Sequence, residues 1–262
     1  MIKPKKSLGQ NFLIDQNIIK IIINSGTIKN RSVLEIGPGT GNLTKAILSQ
    51  KPKKLFVIEK DETLSSFLLK SFNSKIVIIN KDILQFDEKK LADEKLVVFG
   101  NLPYNISTEI LCKWIINLSG NNFWFDELIL MFQKEVADRI IAKFNTSNYG
   151  RLTILTNWKL NIKKICDISP DCFYPKPKID SSLLYFSPRT DFFDFNNPKN
   201  LEKLTRIFFN HRRKMIRRPF NQIFKGNIEI LNKLKLDLNL RPQNLDLLTY
   251  YNLTKEYEKL KS

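Results

Sequence analysis

The sequence predicts an α/β fold with an open sheet, followed by a smaller all-helical domain. Short apolar runs alternate with longer segments of helical periodicity through residues 1–190. Several of these runs end at glycine or at a polar side chain, which is typical of strands whose carboxyl ends bind a ligand. From residue 191 onward the patterns are helical, with no strand alternation of any length.

The domain boundary is placed between residues 190 and 191. The composition changes near residues 191–198, where Phe, Asn and Asp are frequent and a proline follows. A chain of 262 residues is long enough for one large domain and one small one. We therefore expect residues 1–190 and residues 191–262 to fold as separate domains.

The chain is strongly basic. It carries 43 Lys and Arg residues against 26 Asp and Glu, which is a net charge of +17. A Lys-rich, solvated surface could produce this charge by itself, but nucleic acid is the partner that it favours. The single histidine, His211, excludes Ser-His-Asp catalysis and His-rich metal sites.

Cysteine usage and hydropathy favour a cytoplasmic protein without a metal site. The three cysteines, Cys112, Cys166 and Cys172, are odd in number and lack the paired spacing of metal ligands. No apolar stretch reaches the roughly 18 residues of a membrane helix, and no secretory signal is visible at the start. We expect a reduced, cytoplasmic chain with no structural zinc.

A helix is predicted to begin after Asp15, which is a favoured N-cap residue. Four isoleucines would then share one helical face: Ile18, Ile19, Ile22 and Ile23. Residues 5–13, ahead of this helix, are polar and contain a glycine, which is typical of a solvated arm.

A glycine-rich loop follows the first predicted strand of the sheet. Residues 32–36 form a short apolar run that contains Glu35, and residues 37–41 read Gly-Pro-Gly-Thr-Gly. Glycines are needed where a backbone turns tightly and approaches a ligand. The E-x-G-x-G-x-G spacing differs from the G-x-G-x-x-G of NAD-binding folds and favours another nucleoside ligand, although a plain turn stays the alternative.

Carboxylates follow the next two predicted strands. Glu59 ends the run at residues 55–58, and Asp82 follows the run at residues 75–79. A carboxylate at a strand tip can accept hydrogen bonds from both hydroxyls of a ribose, so Glu59 is a candidate ribose ligand. Asp82 can accept from an adenine amino group, with Ile83 against the ring. Either carboxylate could instead cap a following helix.

The most informative stretch is Asn-Leu-Pro-Tyr at residues 101–104, which follows a buried apolar run. If the substrate is an exocyclic amine of a base, the nitrogen lone pair is delocalised into the ring, and the amine is a poor nucleophile. Two acceptors that bind its two N–H groups would localise the lone pair on the nitrogen. The Asn101 side-chain oxygen is one such acceptor. The Leu102 carbonyl, kept extended by Pro103, is the other, and Tyr104 offers a stacking face. An ordinary turn is the alternative.

These candidates occupy the ends of four successive predicted strands. Because such ends meet at one edge of a parallel sheet, their combination is far more specific than any member. We expect one nucleoside site to be formed by Gly37, Glu59, Asp82 and Asn101.

Further strands are predicted at residues 126–133, 162–168 and 183–186, and a helix at residues 134–141. Residues 151–158 alternate as a strand would, but the run is short and ambiguous.

Between the last two strands, residues 169–182 read as a stiff, proline-rich loop. Phe173 could be a second wall of a base sandwich opposite Tyr104, or it could be buried. Lys176 and Lys178 could meet phosphates.

The helical region contains a basic run. Residues 208–218 include five Arg or Lys side chains next to aromatic residues, a combination that suits an RNA backbone and its folded shape. A solvated helix face is the alternative.

Seven segments together resemble the KsgA-type ribosomal RNA adenine dimethyltransferases, which are relatives of the Erm resistance methyltransferases. They occur in the family's order along most of the chain, at residues 6–13, 35–41, 57–59, 82, 99–107, 173–181 and 209–214.

The resemblance implies a Rossmann-like, seven-stranded S-adenosylmethionine-dependent methyltransferase domain at residues 1–190 and an RNA-binding helical domain at residues 191–262. It implies that residues 151–158 are helical, against the pattern. It also implies roles around the cofactor: Asn11 and Leu13 reach over it, Gly37 lies beneath its methionine part, Glu59 holds the ribose, Asp82 holds the adenine, and Asn101 faces both the methyl donor and the target amine.

The implied activity is dimethylation of the 6-amino groups of two adjacent adenines in a 3′-terminal hairpin loop of 16S small-subunit rRNA. The implied partners are this RNA and the immature 30S subunit, with the chain as a monomer. The run Arg212-Arg213-Lys214 fits this branch better than the Erm branch. The alternatives are an Erm-type enzyme acting on 23S rRNA, a non-catalytic assembly or transcription factor, and a DNA amino-methyltransferase.

Overall fold

The computed structural model describes residues 4–5, 8–118 and 120–261. Lys6 and Ser7, which belong to the matched segment 6–13, lie outside the described residues. The strands are β1 (Phe12–Leu13), β2 (Ser32–Ile36), β3 (Lys54–Ile58), β4 (Val77–Ile79), β5 (Leu96–Asn101), β6 (Phe125–Gln133), β7 (Leu160–Ile168), β8 (Phe173–Tyr174) and β9 (Ser181–Pro188).

The helices follow the strands and fill the C-terminal part of the chain. They are α1 (Gln16–Asn24), α2 (Asn42–Ser49), α3 (Glu62–Phe72), α4 (Ser107–Ile116), α5 (Lys134–Ile140), α6 (Arg151–Lys159), α7 (Lys199–Phe209), α8 (Arg217–Phe224), α9 (Ile228–Lys233) and α10 (Leu247–Lys259). The α/β class and the helical C-terminal region are both confirmed.

A seven-stranded sheet carries the fold, in the order β4-β3-β2-β5-β6-β9-β7. The pairs from β4 through β6 are parallel, whereas β9 runs antiparallel to β6. Strands β2 and β5 are buried along nearly their whole length, which explains why they read as continuous apolar runs. Because β4, β3, β2 and β5 are parallel neighbours, their carboxyl ends lie along one edge.

Helix α1 forms where the isoleucine pattern predicts it. The Asp15 side chain accepts hydrogen bonds from the backbone amides of Asn17 and Ile18, as an N-cap should. Ile19, Ile22 and Ile23 are buried on its inner face, and they pack into the hydrophobic core.

The strand-like interpretation of residues 151–158 is wrong, because residues Arg151–Lys159 form α6. Both apolar and polar side chains of this helix are buried, among them Thr153, Leu155, Thr156 and Lys159. A helix that is covered on all sides shows no 3.6-residue apolar period, so pattern reading has nothing to detect. The helical state implied by the family resemblance is the one observed.

Sequence patterns also missed a short second sheet. Strand β1 pairs antiparallel with β8, so that Phe12 lies opposite Tyr174 and Leu13 lies opposite Phe173. Two residues on each side are too few for a periodic signal. This pairing ties the segment before α1 to the proline-rich loop.

The chain divides into two compact units. One comprises residues 1–113, 121–137 and 161–188, and the other comprises residues 114–120, 138–160 and 189–262. The second unit thus takes in two internal segments that a single boundary at residues 190 and 191 leaves in the first domain.

The second unit has an aromatic core in which the polar atoms of Trp158, Tyr251 and Lys159 are hydrogen-bonded. The indole nitrogen of Trp158 donates to the carbonyl oxygen of Phe193 at 2.7 Å, and the Tyr251 hydroxyl donates to the carbonyl oxygen of Ile154 at 3.0 Å. The buried Lys159 ammonium donates to the carbonyl oxygen of Leu118 at 2.7 Å and lies over the Trp158 ring. Such a core can be built only when its polar ends find partners.

Among the residues that the structure describes, no helix is long and apolar enough to cross a membrane. Within the same residues, no group of three or more His, Cys, Asp or Glu side chains could hold a metal ion. The three cysteines are free thiols.

Candidate active site

Four loop tips along one sheet edge line a single cleft of about 240 Å³. The register pairs Ile36 with Ile58 and with Gly100, and Ile58 with Ile79, so the four strands end level with one another. The residues that follow these ends and line the cleft include Gly37, Glu59, Asp82 and Asn101. The structure therefore brings together the residues that the strand pattern placed at one edge, while their binding roles stay predictions.

The glycine loop lies against the end of β5. Gly37 has φ of +66°, and a Cβ atom there would lie 3.0 Å from the backbone carbonyl oxygen of Asn101. Gly39 has φ of +58°, and a Cβ atom there would lie 2.6 Å from a ring carbon of Phe12. Any side chain at either position would collide with a wall of the cleft, which explains the glycines.

The segment before α1 forms part of the cleft wall, so it is not a solvated arm. The Asn101 amide nitrogen donates to the carbonyl oxygen of Asn11 at 2.9 Å. The Asn42 amide nitrogen donates to the carbonyl oxygen of Leu13 at 2.8 Å. Both Asn11 and Leu13 line the cleft.

The oxygen of the Asn101 side chain is a hydrogen-bond acceptor in a residue that lines the cleft. Because its amide nitrogen is bonded to Asn11, its oxygen Oδ1 is left as an acceptor. Among the described residues, no donor engages the Leu102 carbonyl oxygen. Two acceptors in neighbouring residues are therefore left without a donor among the described residues, and Pro103 restricts Leu102 to extended conformations.

Tyr104 is held at its hydroxyl. The hydroxyl lies 2.6 Å from the hydroxyl oxygen of Ser181, which is itself buried on β9. Burial raises the pKa of Tyr104, and the hydrogen bond with Ser181 offsets part of this rise. The ring lines the cleft next to Asn101 and is neutral at physiological pH, as a stacking surface should be.

Two buried carboxylates face the cleft. Glu35 is 1% exposed, and neither of its carboxylate oxygens has a partner of good hydrogen-bond geometry in the part of the chain that the structure describes. Burial raises its pKa to about 8, the nearby charge of Glu59 adds to this, and Thr44 partly offsets both. Burial also raises the pKa of Glu59, whose Oε1 accepts from the Asp61 amide at 2.9 Å. A buried, unpartnered carboxylate calls for a cation or a strong donor.

Asp82 lies in more polar surroundings than Glu35 and Glu59. Its Oδ2 accepts from the Lys60 ammonium at 2.8 Å, and its Oδ1 accepts from the Leu84 amide at 2.9 Å. The hydrogen bond from Lys60 holds the pKa of Asp82 below its usual range. The carboxylate is thus ionised, and its remaining lone pairs can accept from a ligand amine.

Phe173 is not in the wall of this cleft. Sequence reasoning predicts it as a stacking partner opposite Tyr104, but its side chain is 2% exposed and packs in the hydrophobic core with Leu13. Strand β8 alternates, so the next residue, Tyr174, is 54% exposed. A base cannot stack on a ring that the core covers, so this placement argues against the predicted role.

Comparison with known proteins places the chain in a family. The family described as "Ribosomal RNA adenine dimethylase" matches residues 1–259. The chain belongs to the ribosomal RNA adenine dimethylase family. It is 62% identical over 260 residues to the "Ribosomal RNA small subunit methyltransferase A" of Pelagibacter ubique (strain HTCC1062), covering 99% of each chain.

Further relatives agree with this assignment. The protein of the same name from Ehrlichia ruminantium (strain Gardel) is 44% identical, with 94% of each chain covered. A crystal structure of a dimethyladenosine transferase from Plasmodium falciparum superposes with a TM-score of 0.80 at 28% identity, covering 95% of this chain and 98% of that one. The 23S rRNA methyltransferase ErmE, with a TM-score of 0.68 at 20% identity, shares the fold over 95% of this chain and 100% of that one.

Family and fold imply that S-adenosylmethionine is the methyl donor, and the cleft fits such a group. Within the described residues, the buried carboxyl group of Glu35 has no partner of good hydrogen-bond geometry, as expected where a ligand completes the site. Gly37 leaves open a space that a Cβ atom would fill. The site therefore has room for a nucleoside and, at Glu35, a carboxyl group that can ionise against a cationic ligand.

Sequence reasoning assigns no contact to Glu35, which lines the cleft, and does not identify Asp61 and Lys113, which bond to residues that line it. Glu35 is the acidic residue of the E-x-G-x-G-x-G motif, whose spacing favours a nucleoside ligand. Asp61 follows Glu59 at the start of α3, and its carboxylate accepts hydrogen bonds from the side chains of Lys5 and Gln10. Lys113 on α4 gave no signal, yet its ammonium donates to the carbonyl oxygens of Ile83 and Phe86 and to the carboxylate of Glu88.

The contacts of Lys113 with the loop after Asp82 form only in the folded chain, because α4 and this loop are distant in sequence. The signal for Glu35 was available, since an acid in a buried strand is rarely accidental.

Proposed function

We propose that this protein transfers methyl groups from S-adenosylmethionine to the 6-amino groups of two adjacent adenines in a 3′-terminal hairpin loop of 16S rRNA. The observation that carries the proposal is a pair of acceptors in residues that line the cleft, the Oδ1 atom of Asn101 and the carbonyl oxygen of Leu102, which no donor of the described residues engages. An exocyclic amine has two N–H groups, and this pair matches them. The names of the relatives at 62% and 44% identity support the choice of small-subunit RNA.

The cofactor would be held by residues from several strand ends. Glu59 would accept from the ribose hydroxyls and Asp82 from the adenine amino group. Glu35, whose buried carboxyl group has no partner of good geometry among the described residues, would face the positively charged methionine part above Gly37. Asn11 and Leu13 would cover the bound nucleoside, since both line the cleft.

The chain's own part in the reaction is orientation and electrostatics. When bound, S-adenosylmethionine supplies an electrophilic methyl group on a positively charged sulfur. Asn101 and Leu102 would align the amine and stabilise the positive charge that develops on it. Tyr104 would stack on the splayed base. The methylated amine is acidic enough to lose its proton to water, so no strong general base is needed.

RNA binding would rest on basic residues of the second unit. Arg213 and Lys214 are exposed between α7 and α8, and Arg212 beside them is partly buried. Their charges suit phosphates, and binding should weaken steeply as salt concentration rises. We propose that residues 191–262 supply RNA contacts and residues 1–190 the methyl transfer.

We further propose that the protein acts as a monomer in the cytoplasm on immature 30S subunits. Methylation assays with partly assembled subunits and, separately, with free 16S RNA show which of the two is the substrate. Sedimentation of the purified protein at increasing concentration tests whether it stays monomeric.

The deciding experiment is mass spectrometry of nuclease-digested small-subunit RNA after incubation with the purified protein and S-adenosylmethionine. We expect dimethyladenosine at two neighbouring positions, and none with Asn101→Ala. Methyl transfer to 23S RNA or to duplex DNA instead would overturn the proposal that 16S rRNA is the substrate. Cofactor binding without any transfer would point to a non-catalytic assembly factor.

A further inference from the structure

Three side chains from different parts of the sheet edge hold the arm, which is defined here as residues 8–13. Asn101 holds the carbonyl oxygen of Asn11, and Asn42 holds the carbonyl oxygen of Leu13. The third anchor is Asp61, whose Oδ2 accepts from the Gln10 amide nitrogen at 3.0 Å. Each anchor lies at or shortly after the carboxyl end of β5, β2 or β3, so the chain segments that form the cleft also hold the arm.

Asp61 is joined to the chain before the arm as well. Its Oδ1 accepts from the Lys5 ammonium at 2.8 Å, and the Lys5 backbone amide donates to the Gln10 side-chain oxygen at 2.7 Å. These three residues therefore form a closed ring of hydrogen bonds. The Asp61 side chain is 2% exposed, whereas that of Lys5 is 50% exposed. The ring is thus anchored on a buried carboxylate.

The same residue also touches the candidate ribose ligand. The Asp61 backbone amide donates to Oε1 of Glu59 at 2.9 Å. Its carboxylate caps α3 by accepting from the Thr63 amide at 3.0 Å. One residue is therefore bonded to the arm, to the helix that follows β3, and to the carboxylate at the tip of β3. The position of the arm and the orientation of Glu59 are coupled through it.

Asp61 differs from the two asparagine anchors because it is charged. Burial by itself would raise its pKa, but the hydrogen bonds from Lys5 and Gln10 outweigh this and hold the pKa below its usual range. The carboxylate is ionised at neutral pH. Removing a partner from a buried charge is costly, so this anchor should contribute most to holding the arm.

We propose that Asp61 is a positioning residue that fastens the arm over the bound cofactor and so sets how tightly the cofactor is held. The inference rests on the proposed function, in which the cleft binds S-adenosylmethionine. Asp61 itself does not contact the reacting atoms. Its loss should therefore raise the KM for the cofactor and leave kcat at saturating cofactor nearly unchanged.

The test exchanges donor and acceptor between two side chains. Asp61→Asn keeps a good N-cap for α3, but its amide would meet the amide of Gln10. Gln10→Glu sets two carboxylates against each other. In the double variant, the Asn amide can donate to the Glu carboxylate, so the bond returns with its polarity reversed. Asp246→Asn is the matched control, because Asp246 also caps a helix, α10, and lies outside the cleft.

The measurement is calorimetric titration with S-adenosylhomocysteine, the demethylated cofactor, which needs no RNA and no turnover. We expect the Kd to rise about tenfold or more in each single variant, equivalent to about 1.4 kcal/mol. The double variant should recover most of this, as a coupled pair does. Asp246→Asn should bind like the wild type.

Single variants that bind like the wild type, or a double variant no better than the singles, would overturn the positioning role. The melting temperature of each variant shows whether it is folded, and Lys5→Met, which leaves the cap untouched, should raise the Kd in the same direction. A wild-type protein that does not bind S-adenosylhomocysteine at all would instead overturn the proposed function, and the inference with it.

Discussion

The amide nitrogen of Asn101 donates a 2.9 Å hydrogen bond to the backbone carbonyl oxygen of Asn11, 90 residues earlier in the chain. This contact determines which end of the Asn101 amide is free. The nitrogen is used by the arm, and the oxygen is available to a substrate amine. A single hydrogen bond thus joins two walls of the cleft and leaves the oxygen of Asn101, the side chain that we propose to bind the target amine, as the free end of the amide.

Replacing Asn101 should separate binding from turnover. Asn101→Ala removes the acceptor, and we expect methyl transfer to fall by about 10²–10³-fold, as for loss of one transition-state hydrogen bond. Affinity for S-adenosylhomocysteine should change by much less. Asn101→Asp keeps the acceptor but loses the donor to Asn11, so it should also weaken cofactor binding. Single-turnover kinetics and calorimetry measure the two effects; near-normal transfer by the alanine variant would contradict the assigned role.

Gly37→Ala should damage the site beyond the cost of backbone strain. Its Cβ atom would lie 3.0 Å from the carbonyl oxygen of Asn101 at a φ of +66°. Gly120→Ala is the matched control, because φ there is +51° and nothing lies within 4 Å of the added atom. Both variants should lose about 1–2 kcal/mol of unfolding free energy. Urea unfolding measures this, and a cofactor Kd that rises only for Gly37→Ala identifies the contact with Asn101.

Glu35 should make both stability and binding depend on pH. Its pKa is raised from 4.5 to about 8 in the folded protein, so between these values the folded state holds a proton that the unfolded state does not. Unfolding free energy should therefore fall as pH rises from about 5 to about 8. In Glu35→Gln this loss should be smaller, and urea titrations at several pH values measure the difference.

Binding of a cationic cofactor should favour the ionised form of Glu35. Affinity should then rise with pH toward about 8, with a proton released on binding. Calorimetry in buffers of different ionisation enthalpy detects this proton. Binding that is independent of pH and of the buffer would show that Glu35 stays neutral in the complex.

Phe173 and Tyr174 provide a test of the predicted base sandwich. Phe173 is buried, so Phe173→Ala should cost about 3–5 kcal/mol of unfolding free energy. Tyr174 is exposed, and Tyr174→Ala should change it by about 0.5 kcal/mol or less. Urea unfolding measures both. If Phe173→Leu were as stable as the wild type and lost RNA affinity, the ring would have a role in base binding that its burial argues against.

Much of the fold could be predicted from local patterns. The Asp15 cap and the isoleucine spacing predicted α1, and the buried runs predicted β2, β3 and β5, because each signal lies within a few residues of the element. Helix α6 could not be predicted from pattern, because its burial on all sides erases the apolar period.

The candidate site divides in the same way. A polar residue after a buried strand is visible in one dimension, so the sequence by itself determined that Gly37, Glu59, Asp82 and Asn101 would share one edge. Only the tertiary structure decided that Phe173 faces the core and that Asp61 fastens the arm. Those outcomes depend on the pairing of β1 with β8 and on contacts between residues more than fifty positions apart, and no local propensity encodes which distant group a side chain will meet.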